Sequence, residues 1–225
     1  MTTELSFLEK FIILVLDEKT GKYKFEISLY IELLTLSAYL FELVLEEKMY
    51  VLKDKIIVNE KNVNTLDYLK PVNIELSRED KDYLVKDFLL HFFNNNHFDL
   101  HTQSLLNLSL KNILKAEEKK VLGVFETKMY QLTNPEIKFE IKKTLRFELM
   151  QENQLSLETA CLVFLLRESG LVEDNFQNYD TTTIFKKAEN IENQTNLPAS
   201  LKALMEGVIL AKRTLDNFVT VNEIL

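Results

Sequence analysis

Three histidines, His91, His97 and His101, offer the sequence's most versatile side-chain chemistry. His97 and His101 stand four apart, which on a continuous helix sets both on one face, as a metal site requires. The intervening Asn94, Asn95, Asn96 and the run Phe98-Asp99-Leu100 argue against a continuous helix there. No cysteine and no Glu-x-x-His context joins the pair, so boundary or surface histidines and no metal are expected. There is no Gly-x-Gly-x-x-Gly, no phosphate-binding P-loop and no Gly-x-Ser-x-Gly. Carboxylates fall in mixed runs such as Glu117-Glu118-Lys119-Lys120, which are solvated faces far more often than catalytic pairs. No enzyme activity and no cofactor are expected. The single cysteine, Cys161, lies in the apolar run Ala160–Phe164 and reads as a small buried hydrophobe.

The basic residues carry a sharper pattern. Lys138, Lys142 and Arg146 fall at i, i+4 and i+8, one stripe on a helix that opens at Pro135. Lys111, Lys115, Lys119 and Lys120 precede an expected hairpin. A basic face beside apolar residues suits an anionic membrane surface, at about 1 kcal/mol per Lys or Arg. The competing reading pairs these cations with Glu136, Glu140, Glu117 and Glu118 as ordinary surface charge. Both readings stand at this point.

The elements that must position these residues follow from caps and periodicity. Ser6 with Glu9 forms a capping box for a helix over about Leu5–Leu16, and Asp17–Gly21 reads as a turn. An apolar helix follows over about residues 27–47, and Met49–Leu52, a three-residue connection and Ile56–Val58 predict a hairpin. Residues 59–76 read as irregular, with Pro71 interrupting any helix. Ser77-Arg78-Glu79-Asp80 predicts the start of an amphipathic helix reaching Phe93, with Asn94–Asn96 breaking it. A further helix is expected over about His101–Ala116, then a second hairpin of Val121–Phe125 and Met129–Leu132. Asn134-Pro135-Glu136 is a strong helix start, with proline and an acid in the first turn. Ser156 caps the next helix, which stops at Gly170. After a polar stretch, helices are predicted near Thr183–Ile191 and from Pro198 to about Phe218.

Composition limits the class. Only 4 Gly and 3 Pro in 225 residues disfavour a turn-rich all-β fold, while 46% hydrophobic residues supply one sizeable core. A single, mainly α domain over residues 1–225 is expected. The net charge of -8 argues against nucleic acid as a partner, because phosphate neutralisation needs a basic excess. Only Arg78, Arg146, Arg167 and Arg213 offer the bidentate fork suited to phosphate. From Ile27 to Leu45 only Glu32 and Glu42 are charged, a span near bilayer length. Two mid-segment carboxylates cost a few kcal/mol between them on the insertion scale, at roughly 2.5–3.5 kcal/mol for a central charge, which favours a central core helix. Met1-Thr2-Thr3-Glu4-Leu5 has no basic region or cleavage site, so a cytoplasmic protein is expected, with a peripheral membrane location left open.

Four segments then resemble the Golgi phosphoprotein 3 family. Leu5–Leu16 with Gly21-Lys22-Tyr23 is similar to its first helix and turn, and Ala38–Met49 to its central helix running into a strand. Asn112–Phe125 resembles the lead into its hairpin, and Leu162–Val172 its late core helix. The resemblance covers about residues 5–176, in family order. It implies a helical bundle ringed by amphipathic helices, with one or two short β-hairpins, one of them protruding. It also implies a non-enzymatic peripheral protein that binds phosphatidylinositol 4-phosphate or another anionic lipid and contacts protein partners. The alternative is a protein-interaction module whose lipid site is lost. The family's phosphate-ligating aromatic and arginine positions fall near Ile27, at Leu36, and near Phe98 and His101. Candidate lipid-binding residues are therefore His101, from the resemblance, and Lys138, Lys142 and Arg146, from the basic stripe. Val124, Phe125, Met129 and Tyr130 on the second hairpin are candidates for contact with a second copy of the chain or with a membrane.

Overall fold

The computed structural model describes residues 4–17, 30–59, 66–78, 80–94, 99–121, 125–151, 153–177 and 181–222. Helix α1 (Phe7–Val15) starts at the predicted capping box: Ser6 Oγ accepts from Glu9 N and Glu9 Oε2 from Ser6 N. All its residues except Lys10 are buried. That suits a core helix, apolar nearly all round. Helix α2 (Ile31–Leu45) lies at the centre, packed on α1, on later helices and on the first hairpin. Leu34, Ala38, Leu40 and Phe41 have no exposed surface. The Phe41 ring sits 6.3 Å from that of Phe7 and 5.7 Å from that of Phe164, joining three helices. Among the described residues no helix is long and apolar enough to cross a membrane.

Strands β1 (Met49–Leu52) and β2 (Lys55–Val58) form an antiparallel hairpin with Leu52 opposite Lys55. Its connection is two residues, not three: Lys53 and Asp54 both take positive φ (50° and 65°), which lets a tight turn match the strand twist. A 3₁₀ turn (Asp67–Leu69) leads into α3 (Lys70–Leu76), where an irregular stretch was expected. Pro71 lies in the first turn of α3, where a missing N–H costs no intrahelical bond. The expected helix start at Ser77 is also corrected: Ser77 is the C-cap of α3, and α4 begins only at Val85 (Val85–Phe93). The chain before α4 runs extended beside the hairpin, with Ile56 N donating to Tyr83 O and Val85 N to Asp54 O.

Helix α5 (Leu100–Leu110) is shorter than predicted. Asn112 takes φ 57° and turns the chain into β3 (Leu114–Val121), which pairs with β4 (Phe125–Leu132). The lysines expected ahead of this hairpin, apart from Lys111, therefore lie within it. Helix α6 (Glu136–Met150) follows, its Glu136 N capped by Asn134 Oδ1 at 3.0 Å. Helix α7 (Leu157–Glu168) is capped by Ser156 and buried from Thr159 to Leu166. Gly170, at φ 71°, ends it, with Leu171 N donating back to Leu166 O.

A short α8 (Val172–Phe176) occupies what reads as a polar stretch, inserting Val172 and Phe176 into the core. Helix α9 (Thr181–Glu189) precedes α10 (Ala199–Asn222), which crosses α2, α4 and β1. A Cβ on Gly207 would stand 2.3 Å from Val85 Cγ1, so glycine permits the close approach of α10 to α4. The architecture is mainly α with two short antiparallel hairpins.

Candidate functional site

The basic stripe lies on α6 and winds from its inner to its outer side. Lys138, Leu145 and Leu149 form the buried seam of this helix. Lys138 is only 5% exposed and its Nζ donates to the carbonyl of Leu16, just past the end of α1. Lys142 and Arg146, one and two turns on, are half-buried. Lys143 is exposed and pairs with Glu140 across 2.9 Å. The three predicted cations therefore share a helix but not an environment, and Lys138 is a structural tie between α6 and α1.

The outer face of α6 carries something the spacing of the lysines did not reveal. Phe139, Phe147 and Met150 are 52%, 67% and 48% exposed. Among the described residues no other element exposes three large apolar side chains. At 100° per residue they fall within one quarter-turn of the helix, with Lys143 and Glu136 among them and Arg146 and Glu140 at its two edges. Exposed aromatic side chains with a lysine among them on a surface helix are the pattern of an interfacial helix. Glu136 and Glu140 share the exposed side, whereas Glu148 turns away and accepts from the backbone and hydroxyl of Ser156.

His101 sits elsewhere, at the junction of α2 and α5. It is 3% exposed, with Nδ1 3.1 Å from Thr35 Oγ1. Burial pushes its pKa down to about 4, against the opposing pull of Asp99, so the ring is neutral at physiological pH. Its backbone N–H donates to both carboxylate oxygens of Glu32, at 3.1 and 3.2 Å. Burial, and then a hydrogen bond with the Asp99 side chain, pushes the Glu32 carboxyl up to about 8. His97 lies outside the described residues. Among those described, no group of three His, Cys, Asp or Glu converges to hold a metal.

In the second hairpin Tyr130 is packed with Leu114 in the core, and Met129 is 8% exposed. Val124 and the side chain of Phe125 lie outside what the structure describes. The body thus covers the base of the hairpin. Cys161 is buried in α7, and burial raises its thiol well above the ordinary range, which removes it from nucleophilic chemistry.

The family model of Golgi phosphoprotein 3 (GPP34) matches residues 8–208, from α1 into α10. The chain belongs to the Golgi phosphoprotein 3 family. No curated protein matches it. Two of the positions where the resemblance puts the family's phosphate ligands are visible, and they are Leu36 and His101. Leu36 has no donor and is 2% exposed; His101 is enclosed beside an acidic pair. Ile27 and Phe98 are outside the described residues. Helix α6 bears Lys142, Lys143 and Arg146 together with the exposed Phe139, Phe147 and Met150.

Proposed function

We propose that the protein is a non-catalytic peripheral binding protein that docks on anionic lipid through the outer face of α6. The observation that carries this reading is the exposure of Phe139, Phe147 and Met150 on one side of a helix that also bears Lys142, Lys143 and Arg146. The aromatic and methionine side chains supply apolar burial, and a fully buried large apolar side chain is worth about 1.5–3 kcal/mol. The cations add about 1 kcal/mol each near a charged surface. Because α6 carries glutamates as well, apolar insertion is the larger part and electrostatics the smaller. Lys138 and His101 act indirectly here, by holding α6 to α1 and by packing the α2–α5 junction.

Glu136 and Glu140 on the exposed side favour a second reading, a protein-interaction surface with no lipid role. Cosedimentation of the full chain with vesicles separates the two. Retention by phosphatidylcholine vesicles containing an anionic lipid, stronger than on phosphatidylcholine alone and partly lost at high salt, is expected. Equal absence from both pellets would remove the lipid reading and leave the protein one.

A further inference from the structure

Charge on the outer side of α6 is ordered along the helix. Glu136 and Glu140 stand towards its start, and Lys143 and Arg146 follow. Lys143 is the midpoint of the pattern. Glu140 stands three residues before it and Arg146 three after, Phe139 four before and Phe147 four after. Glu136 and Met150 close the pattern, seven residues away on either side. The middle of this face lies about 140° round the helix from the buried seam of Lys138, Leu145 and Leu149, so it points away from the body.

Such a pattern is complementary to a second copy of itself. Where two α6 helices meet antiparallel with Lys143 on the two-fold axis, residues equally far from Lys143 face each other. Phe139 then meets Phe147 of the second copy, and Glu140 meets Arg146 of the second copy. The symmetry repeats both contacts. Ring against ring and carboxylate against guanidinium are contacts that suit a protein interface. A parallel pair would set each charge against its own like, which costs free energy. At the axis the two Lys143 side chains approach, but each is held by its own Glu140 across 2.9 Å. Glu140 thus stands between a cation of its own chain and one of the second copy. Arg146 also interacts within its own chain, and its fork of five donors can serve a second acceptor. An anionic membrane repels Glu140, whereas a second copy uses it.

We infer that in the absence of a membrane a second copy of the chain covers the outer face of α6, the two helices lying antiparallel about Lys143. One helix face is small beside the about 800 Å² that each partner gives to a standard stable interface, so the pair is weak and comes apart on dilution. On the lipid reading of this face, the second copy must leave before the helix meets a membrane. The pairing itself does not depend on that reading.

Sedimentation velocity of the full chain without lipid, at concentrations up to about 0.3 mM, tests the pairing by a charge swap. The unaltered chain is expected to shift from monomer to dimer as concentration rises. Glu140→Arg sets arginine against Arg146 at both contacts and should weaken the dimer about tenfold or more. Arg146→Glu should weaken it similarly by setting acid against acid. The double variant Glu140→Arg/Arg146→Glu restores both contacts between chains and should return to within about threefold of the original dimer. Thermal melting shows which variants are folded, and Glu140→Arg, at an exposed position, keeps the test open if Arg146→Glu unfolds. A chain monomeric over the whole range would overturn the inference, as would a dimer that Glu140→Arg leaves equally tight. Vesicle cosedimentation separates this from the lipid reading. Retention of a chain that never dimerises overturns the pairing alone, and a dimer without retention overturns the lipid reading alone.

Discussion

Helices α2 and α6 are both fifteen residues long and use charge in opposite ways. In α2 apolar residues cover every side, and the two glutamates turn inward to cap the neighbouring helices α1 and α5. In α6 a single apolar seam faces the body, one lysine turns inward to a carbonyl, and two phenylalanines and a methionine are left outside. The inward charges are tolerated in both because each meets a backbone partner, which offsets desolvation. The lesson is that residue type alone does not assign a face. A charge can serve the core when a helix end lies opposite, and an aromatic can serve the surface when the seam is already filled.

The comparison breaks hardest at the centre of α2. Leu40→Ala is expected to cost about 2–5 kcal/mol by chemical denaturation, since Leu40 has no exposed surface and lies on a helix packed against several others. A loss under about 1 kcal/mol would contradict the central place of α2. The next effect tests the inward carboxylates. Glu42→Ala leaves the buried Leu8 N–H without its acceptor and should cost about 1–3 kcal/mol, with Glu42→Gln retaining most of the stability. If Gln and Ala behaved alike, the cap would not be the reason for Glu42. On α6 the expected change in stability is smallest: Phe139→Ser with Phe147→Ser should lower it by about 1 kcal/mol or less.

Much of this was legible in the sequence where signals are local. The Ser6–Glu9 box, Asn134-Pro135 and Ser156 with Gly170 mark helix ends correctly, because a cap is satisfied within four residues of itself. Local signals also misled. Pro71 reads as a breaker but stands in a first turn, and Leu114-Lys115-Ala116 are good helix formers recruited into β3 by pairing with β4. Helix α8 is too short to show a period. The α2 caps join residues 34 and 69 positions apart, which spacing cannot reveal. For α6 Asn134-Pro135-Glu136 located the helix, and the i, i+4, i+8 spacing its cations. Which cation would be buried depended on the seam with Leu145 and Leu149. The phenylalanines off that seam were the available signal for an exposed face.

The most direct measurement of the lipid-binding face is vesicle cosedimentation of the unaltered chain beside the Phe139→Ser/Phe147→Ser protein, with thermal melting of both. The account predicts that the double variant loses most of its retention on anionic vesicles while its melting temperature stays within a few degrees of the original. Undiminished retention by a well-folded double variant would contradict it and move lipid contact away from α6.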